Sequence, residues 1–169
     1  MSKFAKKPGS KPGIKPGIKI VGKSSAQSLT KPLNKTLIDA GPIVAYYSSS
    51  DHWHVAMTEF LSGFRGQFVT TIPVITEALW LLNGSVEVQN ELLADLAKEL
   101  YQVEQMGPVD FAKIADLNSK YRSVPADFAD LSLIVVSDRL GLTDIVTLDS
   151  DFDVYRRLRN MPFKRVFLP

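Results

Sequence analysis

Four segments of the chain place an acid beside apolar structure: Leu37-Ile38-Asp39, Ile75-Thr76-Glu77-Ala78-Leu79-Trp80, Asp127-Phe128-Ala129-Asp130-Leu131 and Thr147-Leu148-Asp149. A carboxylate at the end of a buried strand needs a partner, hydrogen bonds or a cation. None of these segments contains a lysine or arginine. Carboxylates that converge without basic partners repel one another, and a divalent cation relieves that repulsion. The chain has no cysteine and only two histidines, His52 and His54. Disulfides, thiolate nucleophiles, Cys-type zinc sites and His-rich centres are therefore set aside. Oxygen ligands remain, and they suit Mg²⁺ or Mn²⁺.

Each acid also has a bland reading. Glu77 could be a solvent-facing helix acid. Asp127 could cap the helix that follows Pro125. Asp149 could be a turn residue before Ser150. Asp39 is harder to dismiss, because an apolar β-branched run precedes it and a tight Gly41-Pro42 turn follows. His52 and His54 read as surface or packing residues. Trp53 and Trp80 read as core or interface residues, with base stacking as the alternative for an exposed indole.

The elements that must position these acids alternate. The run Leu33–Asp39 reads as a buried strand, followed by a helix opened by Pro42 at its first position. A second helix is expected from an Asp51 N-cap to Leu61. Residues 68–72 form a strand, and Pro73 opens a helix carrying Glu77. Apolar residues at Val88, Leu92, Leu96 and Leu100 mark an amphipathic helix over 86–103, broken by Gly107-Pro108. Another helix runs from about Phe111 to Tyr121. The stretch 127–140 is helical and unusually apolar, with Gly141 as its C-cap. Residues 144–149 read as a strand with an acid at its end, and 165–168 as the last strand. Such alternation implies an α/β fold with a central, mostly parallel, helix-covered sheet. Sites in such sheets lie beyond the carboxyl ends of the strands, where Asp39 and Asp149 fall.

The bulk numbers agree with one folded domain. The chain has 169 residues, 45% hydrophobic and 22% charged, with no apolar run long enough to span a bilayer and no signal-peptide core. A cytoplasmic location is the expectation. The net charge of +2 hides an asymmetry: residues 1–35 carry nine lysines and no acid, leaving the remainder at −7. Residues 1–32 repeat Lys-Pro-Gly and read as a flexible tail before a domain spanning 33–169. The tail is either an arm that attracts phosphates, a solvated linker or a misassigned start. Arg122, Arg139 and the group Arg156, Arg157, Arg159, Lys164 and Arg165 are candidates to guide an anionic substrate.

The ordered set of acids resembles the PIN domain, and in particular the VapC toxins of toxin–antitoxin pairs. The matching residues are Leu37-Ile38-Asp39-Ala40-Gly41-Pro42-Ile43-Val44-Ala45, Asp51-His52-Trp53-His54, Thr76-Glu77, Pro125-Ala126-Asp127-Phe128-Ala129-Asp130-Leu131-Ser132-Leu133 and Val146-Thr147-Leu148-Asp149-Ser150-Asp151-Phe152. The likeness covers about residues 35 to 168. It implies a three-layer α/β/α sandwich and a ribonuclease that hydrolyses RNA phosphodiesters with Mg²⁺ or Mn²⁺. Asp39 and Asp130 would hold a first ion. Asp149 would complete its shell or help hold a second, and Glu77 would bind through water or orient the attacking water. Asp127 and Asp151 are possible additions. A small antitoxin and a homodimer are the implied partners. Two departures stand out: Ala40 replaces a common Ser or Thr, and Asp130 is followed by Leu131 where Ala is common. The alternatives are a PIN nuclease of RNA maturation or decay, and a non-catalytic RNA-binding protein with structural acids. A phospho-aspartate receiver or phosphatase fits poorly, because no Asp-X-Asp follows the first strand and no lysine follows Asp149.

Overall fold

The computed structural model describes residues 34–168 apart from Pro125. The expected tail lies outside the described residues. The elements run β1 (Lys35–Ile38), α1 (Ala40–Tyr47), α2 (His54–Gly63), β2 (Gln67–Thr71), α3 (Ile72–Leu81), α4 (Val86–Ala97), β3 (Tyr101–Glu104), α5 (Pro108–Lys120), α6 (Phe128–Leu140) and β4 (Asp144–Val146). A 3-10 turn at Ser150–Asp153 leads to the short strands β5 (Arg156–Arg157), β6 (Met161–Pro162) and β7 (Lys164–Arg165).

The five-stranded sheet has the order β3-β2-β1-β4-β7, and every pairing in it is parallel. The first two crossovers move outward from β1, and the third returns past it to β4. Right-handed crossovers then put α1–α4 on one face and α5–α6 on the other, giving the three layers. The order reverses between β1 and β4. A crevice opens at such a switch point beyond the strand ends. The Asp39 N–H continues the ladder there, donating to Val146 O at 3.0 Å.

Strands covered on both faces read as continuous apolar runs, and Leu37, Ile38, Val69, Ile145 and Val146 are fully buried. Helix α6 is the central helix: Ala129 and every residue from Leu131 to Ser137 are buried. Gly141 closes it in the left-handed conformation at φ 68°, which a glycine adopts without a Cβ clash.

Several expected boundaries are corrected. Helix α1 starts at Ala40, so Pro42 sits at its third position and Asp39 is its N-cap. Helix α2 starts at His54, because Asp51 accepts the Trp53 N–H in a local turn rather than capping the helix. The expected helix over 86–103 ends at Ala97. Glu99 turns left-handed at φ 57°, Leu100 N–H reaches Asp95 O at 3.1 Å and Glu99 N–H reaches Leu96 O at 3.0 Å. This is the Schellman closure, with glutamate where glycine is usual. The chain then forms edge strand β3 beside β2. Strand β4 ends at Val146, three residues before Asp149, and the last strand is Lys164–Arg165 rather than 165–168. The antiparallel pair β5–β6 was not expected. Among the described residues no helix is long and apolar enough to cross a membrane.

Candidate active site

Asp39 leaves β1 and caps α1. Its Oδ1 accepts the Ala40 N–H at 2.7 Å and its Oδ2 accepts the Thr147 hydroxyl at 2.9 Å. The side chain is buried, and burial pushes its pKa up to about 6. The two hydrogen bonds oppose that rise, while the charges of Asp149 and Asp127 add to it.

Asp130 and Asp127 form a capping box at the start of α6. The Asp130 N–H donates to Asp127 Oδ1 at 2.9 Å, and the Asp127 N–H donates to Asp130 Oδ2 at 3.4 Å. Reciprocal capping satisfies two of the helix's orphan N–H groups. The Tyr155 hydroxyl approaches Asp130 Oδ2 at 3.4 Å. Burial, then the charges of Asp127 and Asp39, push the Asp130 carboxyl up to about 8.

Glu77 projects from α3 and is half-buried. Its pKa rises to about 7 through burial and the charges of Asp127, Asp39 and Asp149. A hydroxyl chain ties its helix to that of Asp130. Ser132 donates to Ala129 O at 2.7 Å, and Thr71 stands 2.6 Å from Ser132. Thr71 must therefore donate to Ser132 while it accepts the Val74 N–H as the N-cap of α3.

Asp149 is exposed and caps the 3-10 turn, accepting the Asp151 N–H at 2.8 Å. Its own N–H donates to Thr147 Oγ1 at 3.0 Å. Asp151, two residues on, is half-buried, and its charge bears on Tyr155.

Asp39, Glu77, Asp130 and Asp149 thus stand on four separate segments within reach of one another's charge. Asp127 caps α6 and adds charge to the cluster. Among the described residues no Lys or Arg forms an ion pair with these carboxylates. Their donor chemistry, all oxygen and mutually repelling, fits a hard dication. Asp39, Asp130 and Asp149 stand turned to local N–H and hydroxyl donors. Among the described residues no three His, Asp or Glu side chains form a ready-made metal-binding set.

Two site residues escaped sequence reading, Thr147 and Tyr155. Thr147 carried a weak signal, a hydroxyl between an apolar strand and Asp149. Tyr155 carried none. Several basic candidates are used structurally instead of facing the acids. Arg139 pairs with Asp110 at 2.7 Å and Glu104 at 2.9 Å. Arg156 holds the carbonyls of Asp153, Val154 and Tyr155. Arg157 donates to Ser137, Arg165 pairs with Asp153, and Lys164 pairs with Asp144. Arg122 and Arg159 are exposed. His54 donates through Nδ1 to Ala45 O at 2.9 Å, and His52 meets the Trp53 ring edge-on. His54 therefore reads as a packing residue and the exposed His52 as a surface residue. Trp53 packs partly against the core, but Trp80 is 71% exposed, contrary to a core placement.

Beside the acids lies a groove of about 560 Å³ lined by Ile72, Thr76, Glu77, Trp80, Asp127 and Phe128 among others.

No protein-family model matches the chain. Over 115 residues it is 27% identical to Ribonuclease VapC26 of Mycobacterium tuberculosis, covering 67% of this chain and 85% of that protein. The crystal structure of M. tuberculosis VapC20, a toxin that cleaves the sarcin–ricin loop, superposes with a TM-score of 0.67 at 17% identity. That match covers 75% of this chain and 99% of VapC20. The Rickettsia felis VapBC2 structure, bound to a DNA fragment from its promoter, matches with a TM-score of 0.52 at 12% identity. It covers 78% of this chain and 98% of the matched chain. The chain resembles VapC proteins in sequence and has the PIN-type α/β fold.

Proposed function

We propose that the chain is a VapC-like ribonuclease that hydrolyses RNA phosphodiester bonds with Mg²⁺ or Mn²⁺ and acts as the toxin of a toxin–antitoxin pair. The observation that carries the reading is the cluster of Asp39, Glu77, Asp130 and Asp149, unpaired with any described base and electrostatically coupled at the switch point. Similarity to VapC26 and VapC20 supports the ribonuclease reading.

Asp39, Asp130 and Asp149 would hold the ion, which supplies Lewis acidity to the attacked phosphate and to water. The residues of the chain supply the rest. Asp39 is oriented by Ala40 N–H and the Thr147 hydroxyl. The capping box fixes Asp130 at the start of α6. Glu77 would bind the ion through water or orient the attacking water, on a helix tied to α6 through Thr71 and Ser132.

A small antitoxin is the partner, supported by the likeness to a VapBC complex. The chain works in the cytoplasm as a homodimer, a reading supported by the exposed apolar Val109 and Phe111 on α5. Expression of the chain alone should arrest growth, and co-expression of a neighbouring small gene should relieve the arrest. Normal growth, with purified protein that cleaves no RNA, would contradict the proposal.

A further inference from the structure

We infer that Tyr155 is a positioning residue of the acidic site, its hydroxyl holding the Asp130 carboxylate so that one oxygen is left for the dication. This rests on the ribonuclease reading above. The Tyr155 hydroxyl reaches Asp130 Oδ2 at 3.4 Å. An ionised carboxylate has no proton to give, so the phenol is the donor. Oδ2 also receives the Asp127 N–H at 3.4 Å, whereas Oδ1 takes no hydrogen bond among the described residues. At that length neither bond is strong. Together they restrain the carboxylate through one oxygen and leave the other for the ion. Outer donors of this kind orient a metal-binding carboxylate and tune its affinity.

Tyr155 is itself held firmly. Its ring is fully buried and meets Phe152 edge-on at 5.3 Å and Tyr121 at 5.2 Å. Its N–H donates to Asp151 O at 2.9 Å. Tyr121, the C-cap of α5, grips the next residue: its hydroxyl accepts the Arg156 N–H at 2.7 Å and donates to Arg156 O at 3.3 Å. The Asp151 carbonyl belongs to the 3-10 turn that Asp149 caps. Tyr155 therefore ties the turn carrying Asp149 to the helix carrying Asp130, as Thr147 ties Asp149 to Asp39. The three carboxylates that would hold the ion are linked in series through two hydroxyl side chains. Packing alone does not call for the phenol, because the neighbouring Phe152 is equally buried without a hydroxyl. A hydroxyl taken into a core costs free energy unless it is bonded.

The test is titration of Mn²⁺ into the full chain, wild type and Tyr155→Phe, with free Mn²⁺ followed by its paramagnetic resonance. Tyr155→Phe keeps the ring and removes the donor. It should melt cooperatively and bind Mn²⁺ about tenfold more weakly, the lower end of what loss of an outer donor costs. Its RNA cleavage should fall at low Mn²⁺ and return towards the wild-type rate in excess Mn²⁺, a rescue that damaged packing would not show. Should Tyr155→Phe fail to fold, a fluorinated tyrosine at the same position keeps the hydroxyl. Its fluorine resonance should then move when Mg²⁺ is added, and an unmoved resonance overturns the inference. Equal Mn²⁺ affinity in wild type and Tyr155→Phe also overturns it, makes Tyr155 a packing residue and leaves the nuclease reading intact. Weaker binding with cleavage that excess Mn²⁺ does not restore overturns it too, because the hydroxyl then serves something other than the ion's carboxylate. A wild-type chain that binds no Mn²⁺ and cleaves no RNA overturns the ribonuclease reading and the inference with it.

Discussion

The Thr147 hydroxyl donates to Asp39 Oδ2 at 2.9 Å while accepting the Asp149 N–H at 3.0 Å, so one side chain sets the relation between two acids. Thr147→Val keeps the volume and removes both bonds. It leaves the buried Asp39 with a single donor and should cost about 1–3 kcal/mol of stability. Mn²⁺ affinity, read by titration, should weaken, and Thr147→Ser should restore it. Unchanged affinity in the Val variant would show that Thr147 only packs.

Asp127 caps α6 and adds negative charge to Glu77 and Asp130. Asn caps a helix about as well as Asp, whereas Ala loses about 1 kcal/mol. Asp127→Asn should therefore fold, gain stability in EDTA at neutral pH through reduced repulsion, and still cleave RNA. Thermal melts and cleavage of the two variants separate cap from ligand. Loss of Mn²⁺ binding in Asp127→Asn would make it a ligand instead.

The raised carboxyls set the pH dependence of the metal-free fold. Asp39, Glu77 and Asp130 have folded pKa values of about 6, 7 and 8, above their ordinary values of 3.8, 4.5 and 3.8. The native state then binds more protons than the unfolded state, so stability falls as pH rises from about 4 towards 8. Asp39, fully buried, accounts for on the order of 2–3 kcal/mol of that fall, while solvent screens the other two more. Melts in EDTA should decline across this window, and Mg²⁺ or Mn²⁺ should recover stability at its upper end. A flat profile would contradict the coupling of the cluster.

Much of the site is legible in the sequence because its signals are local. Asp39 stands out as an acid after Leu37-Ile38, and Asp127 and Asp130 have the spacing of a capping box. Thr147 is different. Its partner is 108 positions away, and their meeting depends on β1 pairing with β4 in the register Ile38 to Val146. Arg139 looked free for substrate because Asp110 and Glu104, its partners, lie on other elements. Strand β3 was hidden because Leu100 continues the helical apolar spacing of Leu92 and Leu96, while the residue that breaks the helix is a glutamate.

That break gives a stability test. Glu99 holds φ 57°, a region that costs an L residue roughly 1–2 kcal/mol and glycine little. Glu99→Gly should raise stability by up to about 1 kcal/mol, with the gain reduced by the greater freedom of the unfolded chain. Urea melts that show a loss would mean the left-handed closure of α4 is wrong.

The central claim rests on Asp39. Asp39→Asn keeps the side chain's shape and removes its charge. The fold should survive and its metal-free form should be at least as stable at neutral pH, because a buried, repelled carboxylate is gone. RNA cleavage with Mg²⁺ or Mn²⁺ should collapse, as it should in the wild type with excess EDTA. Asp130→Asn should behave alike, and the double variant should lose little more than either single one, since groups acting as a unit are not additive. The direct measurement is cleavage of RNA by wild type and Asp39→Asn, each with added Mn²⁺ and with EDTA. The account predicts activity only in the wild type with metal. Cleavage that resists EDTA, or full activity in Asp39→Asn, would contradict it.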